Sequence, residues 1–328
     1  MEKHFIGIDI SKDTFDVCVL DRDHQTVLRH RMYSNDTKGI QAFIKDADCH
    51  FQDVWVCMEH TGHYAALLIR ELTAHQVKLS LVNPLEVKRS AGMVRGKDDK
   101  VDAYRIASYL LRNAFKLKPY KPCSESLAKL KVKLGLREFY VKMVVQCKNN
   151  IKSLEVLARS QDVAQEINTL RSSLAGHQEV IQDLEKQMVE IIDADLEIKH
   201  TYQQIRSVDG IGFVVAATCI VETDNFTSFT DARKFSCHAG LAPFPYQSGT
   251  SVRGRARTSR LRKASLKALL IRAGMTAGHY DPQLRAFKQR KLDEGKHKMV
   301  VNVALANKVI ARMFAVAKRQ QPYIKFAA

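Results

Sequence analysis

Two consecutive apolar runs at the start of the chain constrain its fold more than any other feature. Residues 5–10 and 14–20 are rich in β-branched and aromatic side chains and are separated by a short polar link, which is typical of two adjacent strands. Asp9 lies inside the first run, where an ionised carboxylate is costly unless a cation, a donor or water meets it. Gly7 leaves room for a close approach by another backbone or a ligand. Taken alone, Asp9 is best explained as a solvent-facing residue at a strand end.

The first 115 residues alternate between strands and helices. Beyond the first pair, apolar patterns predict three further strands and three helices, at 27–33, 54–59 and 77–82 and at about 40–44, 64–74 and 100–112. The order is three strands, then helix, strand, helix, strand and helix. This order predicts an α/β domain whose sheet has an antiparallel edge and a parallel remainder.

A boundary follows at Pro119 and Pro122, and a long helical region lies beyond it. From 167 to 191 apolar residues recur at alternating spacings of three and four, broken at His177, which predicts a coiled coil. An antiparallel hairpin within one chain and a dimerising arm both remain open. The domains predicted are 1–118 (α/β), 119–203 (helical, coiled coil) and 204–328 (mostly α-helical).

Charge narrows the class of partner. The formal net charge is +17 and the isoelectric point is near 9.6, which predicts a polyanionic partner. Nucleic acid is favoured over an anionic membrane because no basic amphipathic helix with an aromatic face is visible, and no apolar run approaches the ~20 residues of a membrane span. The seven cysteines form no Cys-x-x-Cys pair, so neither disulfides nor a zinc site is indicated, and a cytoplasmic location is expected.

Two features of the last third suggest contacts with phosphate. Gly210 and Gly212 precede an apolar helix, as in half of a helix-hairpin-helix, where backbone N–H groups hold a phosphate; a plain tight turn has the same letters. Residues 253–272 contain many cations and no acid, which favours a phosphate backbone over a solvated face. The predicted nucleic-acid-binding residues of this segment are Arg253, Arg255, Arg257, Arg260, Arg262 and Lys263.

Four acids occupy positions that can converge. Asp9 lies on the first strand and Glu59 ends the fourth, while Asp99 and Asp102 lie three apart at the start of a helix, on one helical face. If the first and fourth strands are neighbours, these carboxylates meet and repel one another unless cations are present. Two Mg²⁺ ions would relieve the repulsion and polarise a phosphodiester. For Asp99 and Asp102 alone, simple complementarity to the helix N-terminus explains the pattern equally well.

Several short motifs, in order along nearly the whole chain, resemble the DEDD transposases of insertion sequences, which are related to Piv-type DNA invertases. In the first half these are Ile-Gly-Ile-Asp at 6–9, Met-Glu-His-Thr-Gly-His-Tyr at 58–64, Val-Asn-Pro at 82–84 and Lys-Asp-Asp-Lys-Val-Asp-Ala at 97–103. In the second half they are Gly-Ile-Gly at 210–212, Ala-Gly-Leu-Ala-Pro at 239–243 and Ser-Gly at 248–249.

The resemblance implies an RNase H/RuvC-like N-terminal domain in which Asp9, Glu59, Asp99 and Asp102 bind Mg²⁺, with two ions expected at the site. It implies a C-terminal transposase domain whose nucleophile is Ser248, and a bridge RNA that pairs with donor and target DNA. A bacterial, nucleoid-associated protein that forms a dimer or tetramer is expected. The chain departs from the family pattern at Asp98, Asp209 and Arg262, and Asp98 is a rival ligand to Asp99.

Ser248 has no histidine or lysine obviously spaced to act as its base. Metal-bound carboxylates of the other domain would supply a base, which requires the domains to meet within or between subunits.

Four functions compete as explanations of these sequence features. The first is an RNA-guided recombinase with a phosphoserine intermediate, and the second is a RuvC-like nuclease that uses metal-activated water. The third, an actin-like sugar kinase, lacks a visible second phosphate-binding strand pair, and the fourth is a non-catalytic nucleic-acid binder.

Overall fold

The computed structural model describes residues 3–23, 27–50, 53–60, 62–90, 99–229, 231–249, 251–258 and 263–324, without the side chains of 49, 50, 99, 248, 252, 253 and 255. The chain divides after Pro122 into two compact units, Met1–Pro122 and Cys123–Ala328.

The first unit contains one five-stranded sheet in the order β3-β2-β1-β4-β5. Its strands are β1 His4–Ile10, β2 Thr14–Asp21, β3 Val27–Ser34, β4 Val54–Glu59 and β5 Lys78–Val82. The β1–β2 and β2–β3 pairs are antiparallel, whereas β1–β4 and β4–β5 are parallel. The predicted mixed sheet with an antiparallel edge is therefore confirmed, and β1 and β4 are neighbours.

Helices cover both faces of this sheet. They are α1 Thr37–His50, a short 3-10 helix Gly62–Ala65, α2 Ala66–Ala74, α3 Pro84–Ser90 and α4 Asp99–Asn113. Because side chains alternate along a strand, Ile6 and Ile8 pack in one buried cluster with residues of α1 and α2, whereas Phe5 packs in another with residues of α4. The sequence prediction omitted α3, which starts where Asn83 Oδ1 accepts a hydrogen bond of 2.9 Å from the Leu85 N–H.

The second unit begins with two long helices, α5 Glu125–Leu157 and α6 Ala164–Ala194. They run antiparallel. Arg137 in the first half of α5 meets Glu185 in the second half of α6 at 2.6 Å, while Arg171 in the first half of α6 meets Glu155 near the end of α5 at 3.2 Å. The hairpin within one chain is thus the observed alternative. A coiled-coil supercoil remains a prediction.

The rest of the second unit is mostly helical, as predicted, and surrounds α12. Its elements are α7 Leu196–Arg206, α8 Phe213–Glu222, α9 Ala232–His238, β6 Pro243–Ser248, β7 Val252–Thr258, α10 Ala264–Tyr280, α11 Pro282–Asp293 and α12 Lys298–Arg319. Within the described residues, α12 is the one helix long and apolar enough to cross a membrane, and half of its apolar window is buried in this unit, as in the core helix of a globular protein.

A two-stranded antiparallel hairpin interrupts the helices of the second unit. The small and polar residues of 246–251 are typical of a loop, but β6 extends to Ser248 and pairs with β7. The turn lies at Gly249, whose φ of 55° is in the left-handed region that glycine adopts easily. Arginines at alternate positions hid the second strand, because they contribute no apolar alternation.

Candidate active site

The site begins at the ends of β1 and β4. These strands pair in parallel as far as Ile8 opposite Met58, so the next residues, Asp9 and Glu59, lie at neighbouring strand ends. Both residues are half-buried. The sheet register thus brings together two acids that are fifty positions apart in the sequence.

Gly7 allows α4 to lie directly against β1. A Cβ atom at Gly7 would clash with the backbone oxygen of Ala103 and the backbone nitrogen of Ala107. Asp102 immediately precedes this contact and is half-buried. The close approach predicted at Gly7 is therefore made by a helix backbone, and it places Asp102 over the strand ends.

Electrostatics show that three carboxylates share this site. Burial raises the pKa of Glu59, and the negative charges of Asp9 and Asp102 raise it further. Arg105 lies one turn beyond Asp102 and donates from Nη1 to its Oδ1 at 2.5 Å. The i,i+3 spacing of Asp102 and Arg105 on α4 is the sequence signal for this pair.

The carboxylate donors suit Mg²⁺, which prefers hard oxygen ligands. Among the described side chains, however, no set of three His, Cys, Asp or Glu residues is arranged to hold a metal ion. Asp9, Glu59 and Asp102 therefore interact through their charges but do not form a closed set of metal ligands among the described side chains. Asp99 begins α4, but its side chain lies outside the described residues.

A further acid on the same face was missed. Asp16 of β2 lies directly opposite Asp9 in the antiparallel register, and directly opposed residues point to the same face of a sheet. It is 8% exposed and lies 3.5 Å from His30 Nε2. The sequence contains the signal for this pair of acids, because Asp16 falls opposite Asp9 once β1 and β2 are paired across their short link.

Ser248 lies at the end of β6, opposite Val252 of β7, and its side chain is outside the described residues. The same holds for the side chains of Arg253 and Arg255, whereas Arg260 and Arg262 lie wholly outside them. Arg257 is exposed. The basic segment contains no acid of its own, but Lys263 does have a counter-charge from outside it, since its Nζ lies 2.5 Å from Glu222 Oε1.

The glycine turn at 210–212 joins α7 to α8. Gly210 has a φ of 87°, and a Cβ there would clash with the backbone of Ala273 in α10. Gly212 is the N-cap of α8. An open pocket of about 470 Å³ beside this turn is lined in part by Arg206 and Arg272. The helix-hairpin-helix and its phosphate contact remain predictions.

Two protein-family models match the chain in the order of its two units. One, for DEDD transposases of the IS110 type and described as "Transposase", matches residues 6–160; the other, described as "Transposase IS116/IS110/IS902 family", matches 202–289. Together they cover about three quarters of the chain. The chain belongs to the IS110/IS116 family of transposases. It is therefore an enzyme of DNA transposition or recombination, as the resemblance of its motifs predicted.

Individual relatives extend the match over the full length. The pilin gene-inverting protein of Moraxella bovis is 26% identical over 333 residues, covering 99% of both chains. The transposase for insertion sequence element IS1111A of Coxiella burnetii is 24% identical over 348 residues, covering 97% of this chain and 90% of its own.

One solved structure is also similar in part. It is the RuvC of T. thermophilus in complex with a Holliday junction substrate, with a TM-score of 0.29 and 13% identity over 36% of this chain and 100% of that chain.

Proposed function

We propose that the chain is the RNA-guided recombinase of an insertion sequence, which cuts and rejoins DNA through a phosphoserine intermediate. The observation that carries the proposal is the convergence of Asp9, Glu59 and Asp102, where burial and then the negative charges of Asp9 and Asp102 raise the pKa of Glu59. Carboxylates that repel one another at a strand edge create a demand for cations, and membership of a transposase family supplies the substrate class.

The proposed nucleophile is Ser248. Its Oγ attacks a DNA phosphate, so that an Oγ–P bond forms and the P–O3′ bond breaks. The serine proton passes to a base, and the leaving O3′ takes up a proton to become a hydroxyl. A 3′-hydroxyl from another strand then attacks the phosphoserine, which forms a new P–O3′ bond and restores Ser248.

The residues proposed to hold Mg²⁺ are Asp9, Glu59 and Asp102, with Asp99 as the fourth. When bound, a pair of such ions stabilises the attacking and leaving oxygens of a phosphoryl transfer. The protein contributes the positions of the donors: two strand ends fix Asp9 and Glu59, and the close contact at Gly7 fixes Asp102. This arrangement supports an RNase H/RuvC-like assignment of the first unit.

Binding of DNA and a bridge RNA is proposed for the basic segment of β7 and for the turn at Gly210 and Gly212. The net charge of +17 supports a polyanionic partner, and exposed Arg257 is available to one. Because recombination requires that two DNA partners be held together, we propose that the protein forms a dimer or tetramer on DNA. Light scattering that finds a monomer in the active complex would exclude this oligomer.

Sequencing the RNA that copurifies with the protein tests RNA guidance. The absence of an enriched RNA species would contradict RNA guidance.

The alternative is a RuvC-like nuclease in which metal-activated water attacks the phosphate. The same carboxylate site supports this function, since water requires no protein nucleophile. The two functions differ in whether a covalent protein–DNA intermediate forms.

A plasmid recombination assay tests the role of the carboxylate site. Asp9→Asn and Asp102→Asn should each abolish strand cleavage, because an amide is neutral and a poorer ligand for Mg²⁺, while binding of nucleic acid should be nearly unchanged. The control is Asp13→Asn, which removes one exposed acid from the β1–β2 link and should recombine normally. Full recombination by Asp9→Asn or Asp102→Asn would contradict the proposal.

A further inference from the structure

Glu222 connects both flanks of the β6–β7 hairpin. Its Oε2 lies 3.2 Å from His238 Nε2, and its Oε1 accepts from Lys263 Nζ at 2.5 Å. His238 ends α9, a few residues before β6, whereas Lys263 follows β7 and directly precedes the first residue of α10. His238 and Lys263, which are 25 positions apart in the sequence, therefore meet on a single carboxylate.

The carboxylate itself is held firmly. Glu222 ends α8, a helix with five buried residues, and its side chain is 14% exposed. Burial by itself would raise the pKa of Glu222, but the hydrogen bonds and charges of His238 and Lys263 outweigh burial and lower it. Glu222 is thus an ionised group in a partly desolvated position, where an ion pair is stronger than on an open surface.

The partners of Glu222 are also anchored. The centroid of the His238 ring lies 5.2 Å from that of Phe229 and 6.2 Å from that of Phe235. Phe235 is completely buried. Lys263 is fixed at the start of α10, a helix that contributes several residues to the same core. The Glu222 contacts therefore join the hairpin to the core of the second unit on both sides.

Two further hydrogen bonds fix the same hairpin closer to its strands. Asn307 of α12 donates to the Leu241 carbonyl at 3.3 Å, before β6. Lys267 of α10 donates to Thr258 Oγ1 at 3.0 Å, at the end of β7. These bonds fix each flank separately, whereas Glu222 holds both flanks together.

We propose that Glu222 is a positioning residue for the strand-transfer reaction: by binding His238 and Lys263 together, it sets the position of the β6–β7 hairpin and hence of Ser248. The proposal rests on the proposed function, in which Ser248 attacks DNA. Glu222 does not touch the reacting atoms. It acts through the hairpin, since an in-line attack tolerates little displacement of the nucleophile.

The first measurement is hydrogen–deuterium exchange of the hairpin amides in the full chain. Glu222→Gln and Lys263→Met should each increase exchange in residues 243–258, and the double variant should increase it no further, because both changes remove the same link. The control is Glu294→Gln, which removes the ion pair of Glu294 with Lys291 on α11 and should leave hairpin exchange unchanged. Exchange in Glu222→Gln equal to that in the wild type would overturn the proposal.

The second measurement is the rate at which labelled DNA becomes attached to the protein. Glu222→Gln should slow attachment about 10- to 100-fold, the range expected when a nucleophile is displaced by about an ångström, with the thermal midpoint and the affinity for DNA little changed. Faster hairpin exchange with a normal rate of attachment would overturn the positioning role. If the wild type itself forms no adduct at Ser248, the proposed function fails, and the exchange result still decides whether Glu222 fixes the hairpin.

Discussion

At the scale of single residues, Glu59 is the most sensitive indicator of the carboxylate site. Its pKa is raised by burial and by two neighbouring negative charges. In the metal-free protein the folded state therefore binds the Glu59 proton up to a higher pH than the unfolded state does. It follows that the free energy of unfolding falls as pH rises from the usual carboxyl pKa of about 4.3 through the raised one.

Replacing Glu59 by glutamine should remove this loss of stability. Without metal, the variant should be more stable than the wild type at neutral pH and should show a flatter dependence on pH, as measured by urea unfolding. The control, Glu125→Gln, should behave in the opposite sense: Lys129 lowers the pKa of Glu125, so its contribution is present at neutral pH and lost on acidification. A Glu59→Gln protein that is less stable than the wild type at neutral pH would contradict the account.

At the scale of elements, the contact of α4 with β1 determines the site. The two backbones approach so closely that no side chain fits at Gly7, where a Cβ would clash with the backbone of Ala103 and Ala107. The position of Asp102, just before this contact, is therefore determined by the packing of the helix on the strand.

Gly7→Ala should both destabilise the first unit and displace Asp102. Overpacking of this kind costs about 1–3 kcal/mol, and cleavage should fall further than the loss of folded protein explains. The control is Gly135→Ala in α5, where a Cβ would meet no atom within 4 Å and helix propensity predicts a gain of about 0.5–1 kcal/mol. Denaturant unfolding measures the stability of both variants. Equal stability of the Gly7→Ala protein and the wild type would show that α4 does not pack directly against β1 at Gly7.

The strand β7 permits a test of nucleic-acid binding. Replacing Arg253, Arg255 and Arg257 by alanine should weaken binding and reduce the slope of log affinity against log salt by up to about 3, since each phosphate contact contributes about 0.9. The matched control replaces three lysines that have ion-pair partners, Lys129, Lys142 and Lys186, and should leave the slope nearly unchanged. An unchanged slope in the arginine variant would mean that these residues form only a solvated face.

At the scale of the whole molecule, the first unit was more predictable than the second. Its strands are apolar and β-branched, and their order specifies a mixed sheet. The meeting of Asp9 and Glu59 was predicted on the condition that β1 and β4 are neighbours, which the structure shows. The missed helix α3 also had a signal, because Asn83 and Pro84 are residues typical of a helix start.

The features missed in the second unit had weaker signals. Arginines concealed the β7 strand, and the contacts of Glu222 join residues 16 and 41 positions apart, which no local pattern predicts. Asp16 was missed for a different reason: pairing β1 with β2 across their short link already places it opposite Asp9, but this register was not worked out. The contacts of Glu222, by contrast, require coordinates.

The most direct test of the central claim is to trap the covalent intermediate at Ser248. Wild-type protein incubated with labelled DNA should give a protein–DNA adduct on a denaturing gel, and peptide mapping should place it at Ser248. Ser248→Ala should eliminate the adduct, cleavage and strand exchange, while Ser251→Ala, in the adjoining turn, should have a milder effect. If Ser248→Ala still nicks DNA at the normal rate and the wild type forms no adduct, water is the nucleophile and the chain acts as a nuclease.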